Sequence, residues 1–551
     1  MIHRWLPFYI LILSIIYAGC QQDTPVNENR IIIGIPSDIE TYNPLYSFSV
    51  DEGVISELLY LSLVQPEWDS KKGDLIFKPM LAEKWEWLND SASIKFYLRN
   101  DVKWTDGVSF TANDVVFSFI TYSDPAVQSK LYGTFNKFYT DDMNKIDPEK
   151  SFSFDSENEL IIHLRRSKKA NLLDFSVPII PEHIFKNVPA KEISTSDLLF
   201  SNVTSGAFKL KKWERNQFII LRQDSSSFLF NPDAVAELVF KIVPDYTSRL
   251  NQLKKGEIDL MELVKPEDAD ELKKTDHLLI AYQKGREYDY IGWNNIDPES
   301  FNEEGIIKPH KLFGDKKVRR ALTHAINREE IFNEGLLGYG QLATGPVSPI
   351  FANAINTDLP HLDYDPGLSR KLLSEAGWKD SDNNGIIDKN GVEFSFTMII
   401  PPEDPLRNFA ATIVKNNLKD AGIELNVETM ELGTYIENLY SKSLDSWMAA
   451  WYVPIPLDLK NYWYSDPEQT PANLCSYKNI RVDSLLILAE TETDENKLNE
   501  IYKSVQELIQ QDQPVTFLYW KDNIVAYNKR IKNLQVNPFG VVHHCWLWSV
   551  N

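Results

Sequence analysis

Cysteine is scarce in this chain: 551 residues hold three, Cys20, Cys475 and Cys545. Thiols so few and so far apart do not make the disulfide framework that staples small secreted domains. Positive charge is also short. Fifty-seven Lys and Arg against 79 Asp and Glu leave a formal net charge of −22, which repels phosphates and excludes a nucleic-acid partner. Solubility is the plain reading of that charge. After the N-terminus no second membrane-length apolar run occurs, and no repeat with a period of about 20–50 residues is visible.

Enzyme signatures are missing too. The chain has no Gly-x-Ser-x-Gly elbow, no His-Glu-x-x-His helix, no phosphate-binding Gly-rich loop and no dinucleotide fingerprint. The nine histidines are scattered; His183 after Pro181 and His324 within an apolar helix read as capping or core residues rather than general bases. In His543-His544-Cys545 neighbouring side chains of an extended segment point to opposite faces, which ill suits one shared metal ion. No catalytic residue and no cofactor is therefore expected.

What is present begins with an export signal. Arg4 supplies a positive start, and Leu6 to Tyr17 form an apolar run broken by Pro7 and Ser14. Tyr17-Ala18-Gly19-Cys20 then has the small residues before cysteine that a lipoprotein signal peptidase needs, although Tyr17 stands where a branched aliphatic residue is usual. Residues 1–19 read as signal, Cys20 as the lipidated residue and 20–30 as a polar tether to the cell envelope. An uncleaved anchor is the alternative, but the apolar run falls short of the ~20 residues a spanning helix requires. Inner and outer membrane both remain open as destinations.

The rest exceeds the ~250–300 residues that one core accommodates, so two or three lobes are expected. A hydrophobic fraction of 43% supports ordinary globular folding. Arg30 to Ile35 reads as a β-branched strand followed by a loop and a helix over Glu52 to Leu63. Further strands are predicted at Ile94 to Leu98, Glu159 to Leu164, Phe218 to Arg222, Glu237 to Val243, Phe394 to Ile400 and Ile423 to Met430. Helices alternate with them: one capped by Thr111 with Asp114 three residues on, then Val318 to Asn327 and Leu406 to Asp420. That alternation is α/β or α+β.

Asp380, Asp382, Asn384, Gly385 and Asp388 fall at calcium-loop spacing, with Ile387 as the apolar lock. Gly391 occupies the place of the final bidentate Glu, and Glu393 comes two residues late. The segment reads first as a tight turn, with calcium as the weaker alternative.

From Leu81 to Phe119, LAEKWEWLNDSASIKFYLRNDVKWTDGVSFTANDVVFSF resembles the signature of the family 5 extracellular solute-binding proteins, the peptide- and nickel-binding group of ABC import systems. SGAFKLKKWERNQFIILRQ from Ser205, KKGEIDL from Lys254, VRRALTHAINREEIFNEGLLGYGQLATGPVSP from Val318 and SRKLLSEAGW from Ser369 are similar to family segments in the same order. So is the stretch from Ala410 to Tyr452. The resemblance implies an α/β, two-lobed periplasmic-binding-protein-like fold of class II type with an additional inserted domain. Lobe I would comprise 31–57, 191–286 and 514–551, the extra domain 58–190 and lobe II 287–513.

It further implies a monomer that closes over a solute and presents it to the permease subunits of an ABC transporter. Ligand contacts are expected from Phe48, Ser49 and Val50, from Met261, Glu262 and Leu263, from Trp451 and Tyr452 with the following Pro454, and more weakly from Trp293 and Asn294. Peptide-binding relatives hold the ligand's amino terminus with an Asp three positions after that Trp, where this chain has Pro454; Asp458 is the nearest replacement. Oligopeptide is the favoured solute. An oligosaccharide or metal complex is the alternative, and a chaperone or sensing role is not separable from import by sequence.

Overall fold

The computed structural model describes residues 29–551 except 89–91, 166–169, 403 and 468. The export signal, Cys20 and the tether up to residue 28 lie outside the described residues.

Two long strands carry the architecture. Leu278–Trp293 and Val515–Asn528 pair antiparallel: Leu278 to Lys284 against Asn528 to Asp522, then, after a shift in register, Tyr288 to Gly292 against Trp520 to Val515. The shift leaves Gly285, Arg286 and Glu287 as a bulge in mid-strand, which bends and twists the ribbon there. On one flank the sheet continues through Leu260–Met261, Arg30–Ile35, Glu237–Ile242, Phe218–Gln223 and Phe208–Glu214. On the other it continues through Ser446–Tyr452, Ser395–Ile400 and Glu424–Thr429. With Gly340–Leu342 paired beside Val515–Asn528, one 11-stranded sheet thus passes from one half of the molecule to the other through a two-stranded crossing.

Each half buries its own side chains. Ile31, Ile33, Leu238 and Phe240 share a core with Ile94, Phe96, Leu160 and Ile162, which belong to a separate four-stranded antiparallel sheet in residues 82–163. In the other half Trp293, Phe313, Phe396 and Val414 form one core, and Tyr288, Trp447, Trp463 and Phe517 another. The predicted strands sit within one or two residues of their expected bounds. The helix expected over Glu52 to Leu63 instead spans Val50–Leu59, because Ser49 caps it: the Glu52 amide donates to Ser49 Oγ at 3.2 Å, and Glu52 Oε2 accepts from the Ser49 amide at 2.8 Å.

The two halves also meet away from the crossing. A hairpin of Val64–Asp69 and Asp74–Pro79 turns at Gly73, whose φ is +68°. A Cβ there would lie 2.1 Å from the Ala352 amide nitrogen of the opposite half, and the Trp68 ring meets Phe351 edge-on at 5.7 Å. Backbone is pressed on backbone across the gap.

Gly285 at the crossing is equally constrained: a Cβ would stand 1.9 Å from the Lys521 carbonyl oxygen, and its own carbonyl accepts from Ser348 Oγ at 2.7 Å. The substitution Gly285→Ala is expected to cost about 2–4 kcal/mol in urea unfolding, since the neighbouring strand must shift. A loss below about 0.5 kcal/mol, the range of ordinary surface substitutions, would contradict that packing.

Candidate ligand-binding cleft

The helix capped by Ser49 starts at one wall of the space between the halves. Capping holds Ser49 through its backbone and hydroxyl, leaving Phe48 and Val50 to project on either side, 70% and 82% exposed. The two-residue strand Leu260–Met261 pairs with Arg30–Ile35 and with Val515–Asn528, which turns Met261 fully inward. Leu263 follows with φ +53° and is 73% exposed.

Between them stands Glu262, whose carboxyl is pushed up to about 7 by burial, with the Asp51 charge adding to the rise. Asp51 is itself raised by burial, although Arg249 opposes the shift. The Val541 amide donates to Glu262, and a Cβ on Gly540 would come within 3.7 Å of Glu262 Oε2. Segments 48–51, 261–263 and 538–541 therefore converge.

The same C-terminal turn leads across to the other half. Pro538 O lies 3.4 Å from a terminal nitrogen of Arg286, in the bulge of the crossing. That nitrogen also donates to Tyr452 Oη at 2.6 Å, and the other donates to Val453 O at 3.0 Å. The guanidinium covers the Tyr452 ring at 4.2 Å, a cation–π contact. Tyr452, half exposed, thus faces the first wall from the end of Ser446–Tyr452.

Trp451, beside it, is partly buried and packs on Tyr462 at 4.8 Å. With Tyr288, Tyr290, Trp463 and Leu474 it lines a cavity of ≈ 10 Å³, about the room of one water. Pro454 is partly buried and brings no charge. Asp458, the expected replacement acid, accepts from the Lys460 amide at 2.8 Å and from Asn461 Nδ2 at 3.0 Å, so its carboxylate is engaged in its own turn.

Contacts thus link segments 48–51, 261–263 and 538–541 and, through Arg286, Tyr452; Phe48, Val50, Leu263 and Tyr452 are exposed and Met261 is buried. Trp293 and Asn294 are corrected to core residues. Trp293 is fully buried against Phe313 and Phe396, with Nε1 donating to Thr516 Oγ1 at 3.1 Å. Asn294 is buried, donating to Lys442 O and Leu444 O at 2.9 and 3.0 Å. They follow Arg286 along the same strand, and seven residues of strand span about 23 Å. Reading the sequence also missed Asp51, Arg286 and the 538–541 turn. Alternation of polar and apolar residues does not point to them; an Arg within a strand that otherwise buries aromatics was the available signal.

In the 380–393 loop the carboxylates accept from the turn's own backbone and side chains. Asp380 accepts from the Asn384 and Gly385 amides, Asp382 from Asn384, and Asp388 from Ser381 N and Oγ at 2.9 and 2.6 Å. These bonds close the turn. Among the described residues no group of three or more His, Cys, Asp or Glu is placed to hold a metal ion. His543 contacts Glu57, Gln65 and Pro66 O, and the buried Cys475 and Cys545 are both free thiols.

With this geometry in hand the relatives can be weighed. Residues 77–472 match the description of bacterial extracellular solute-binding proteins, family 5, and the chain belongs to that family. Oligopeptide-binding protein AppA of Bacillus subtilis is 29% identical over 98% of this chain and 97% of its own length. Its structure with a nonapeptide superimposes with a TM-score of 0.71, covering 95% of this chain and 99% of that one. NikZ of Campylobacter jejuni, solved with Ni(L-His), is 24% identical over 95% of this chain and 100% of that chain, with a TM-score of 0.72, a likeness of fold alone. The fold is accordingly the α/β architecture of periplasmic solute-binding proteins, and members of this family are binding proteins rather than enzymes.

Glu262 makes the cleft sensitive to pH. Its carboxyl titrates at about 7 in the folded chain against an ordinary 4.5, so the folded state holds the extra proton between those values. Stability tied to that proton is fully present below 4.5 and is lost as pH rises through 7. Glu262→Gln is expected to match the parent near pH 4 and to exceed it by about 1–3 kcal/mol at pH 8. Thermal unfolding across that range measures the difference, and equal gains at both pH values would contradict the assignment.

Proposed function

We propose that this protein is the extracytoplasmic solute-binding component of an ABC importer, taking up oligopeptides between two closing lobes and delivering them to the membrane permease. The observation that carries the reading is the set of large side chains left in water on facing walls. Phe48, Val50 and Leu263 stand on one side and Tyr452 on the other, joined through the bulge at 285–287. Exposed apolar groups gathered at a cleft mark a binding surface. Aromatic and aliphatic faces offer contact area indifferent to side-chain sequence, which suits an extended peptide. The nonapeptide held by the Bacillus subtilis relative supports that solute.

In this reading lobe I comprises 31–57, 191–286 and 514–551, lobe II comprises 287–513, and 58–190 is the additional domain. The protein works as a monomer without catalysis. Cys20 carries a lipid that holds it at the membrane, facing the periplasm or the exterior. No described helix is long and apolar enough to cross a membrane.

Titration calorimetry of the purified protein with a mixed nonapeptide library tests the reading. Binding is expected, and Tyr452→Ala and Leu263→Ala are each expected to weaken it by about 1–2 kcal/mol, the latter with unfolding temperature unchanged; a protein that ignores peptides overturns the proposal. For the anchor, Cys20→Ser is expected to move the protein from the membrane fraction to the soluble one. A variant that stays with the membrane and still takes up labelled fatty acid would contradict it.

A further inference from the structure

Among the described residues no carboxylate pairs with the Arg286 guanidinium. It sits in the bulge where the two halves join, and each group it touches is neutral: Tyr452 Oη, Val453 O and Pro538 O at 2.6, 3.0 and 3.4 Å. Its Nε is buried and has no acceptor. Burial without an opposite charge draws its pKa below the ordinary guanidinium value, Tyr452 being the only group to oppose that fall.

Of the acids nearby, three are engaged elsewhere, and Asp522, opposite Lys284 across the ribbon, is not among the groups acting on Arg286. Glu287, the next residue, pairs with Lys521, and Asp289 pairs with Lys521 at 2.9 Å and with Arg407 at 2.8 Å. Asp458 closes its own turn, and Pro454, following the Val453 that accepts from Arg286, offers no charge. Glu262 shares the 538–541 turn but is not among the groups acting on Arg286.

Arg286 is half-buried, and a partly desolvated cation with no counter-charge beside it is stabilised when a ligand supplies the anion. Arginine presents a planar fork matched to carboxylate geometry, and on the edge formed by Nε and the terminal nitrogen that holds Tyr452 Oη, Nε is left without an acceptor among the described residues. On the facing wall the ionisable groups of the converging segments, Asp51 and Glu262, are acids. The cleft is therefore polarised, positive at the crossing and acidic on the wall of segments 48–51 and 261–263.

We propose that Arg286 is a specificity-determining residue that binds a carboxylate of the ligand, so that this cleft selects peptides presenting a negative group at the lobe junction. The assignment rests on the peptide reading above. The carboxylate has two sources, the peptide's C-terminus or an acidic side chain. Tyr452 Oη, now holding one terminal nitrogen, is the contact the incoming carboxylate supplements or displaces.

Three nonapeptide libraries with free amino termini test this by calorimetry on the purified protein. The first contains no Asp or Glu and ends in a carboxylate; the second is the same but C-terminally amidated; the third is amidated and carries one Glu. The parent is expected to bind the first or the third at least tenfold more tightly than the second, and which of the two gains identifies the source. Arg286→Gln is expected to bind all three alike, at the affinity of the second, whereas Arg286→Lys keeps part of the preference. Circular dichroism establishes that both variants are folded. Equal affinity of the parent for all three libraries would overturn the assignment. So would an Arg286→Gln protein that loses affinity equally for all three, since Arg286 would then only brace the crossing. Should the parent bind none of them, the peptide reading itself fails, a result distinct from either.

Discussion

The molecule depends on how two strands cross from one half to the other. Leu278–Trp293 and Val515–Asn528 are paired on both sides of the bulge at Gly285, Arg286 and Glu287 and out of register across it. Within each half, buried aromatic and β-branched residues fix the register, because a slip of one residue would turn every buried side chain outward. At the bulge that constraint lapses. Gly285 lies against the Lys521 carbonyl, and the polar side chains of Arg286 and Glu287 take the place of a core. Two rigid bodies joined at a short irregular segment is the geometry of a hinge.

The cleft follows from the same arrangement. The crossing strand Leu278–Trp293 and the end of its neighbour Ser446–Tyr452 deliver Arg286 and Tyr452 to one edge, while the capped helix after Ser49 and the turn after Met261 deliver Phe48, Val50 and Leu263 to the other. These side chains are exposed because the elements carrying them end there. Apolar surface left in water at such an edge is stabilised when a ligand touching both walls covers it, which biases the halves toward each other. The polar groups of the cleft are sparse and separated by sign, so apolar contact supplies area while a few charges orient the ligand.

Much of the fold was legible in the sequence, for a local reason. Segments buried on one or both faces, such as Arg30–Ile35, Ser395–Ile400 and Pro405–Asp420, carry clear periodicity or β-branched runs and were predicted nearly to the residue. The crossing strands were not. Their middles, QKGRE at 283–287 and KDN at 521–523, carry no apolar alternation, because they leave one core before entering the next. For the cleft, resemblance pointed to segments rather than side chains, and alternation within a segment decides which side chain is exposed, as Met261 and Leu263 illustrate. Trp293 and Asn294 were misplaced because distance along a strand does not show in a motif. Asp458 bears the right chemistry for an anchor, yet its own turn engages it.

Small-angle X-ray scattering of the purified protein, alone and with saturating nonapeptide library, tests the central claim that ligand draws the two halves together about the 285–287 crossing. The account predicts a smaller radius of gyration with peptide bound, and the same compact value for both samples if the free protein is locked shut by a disulfide engineered between the hairpin turn near Gly73 and the facing segment near Ala352. An unchanged radius of gyration in the unlocked protein, despite measured binding, would contradict it.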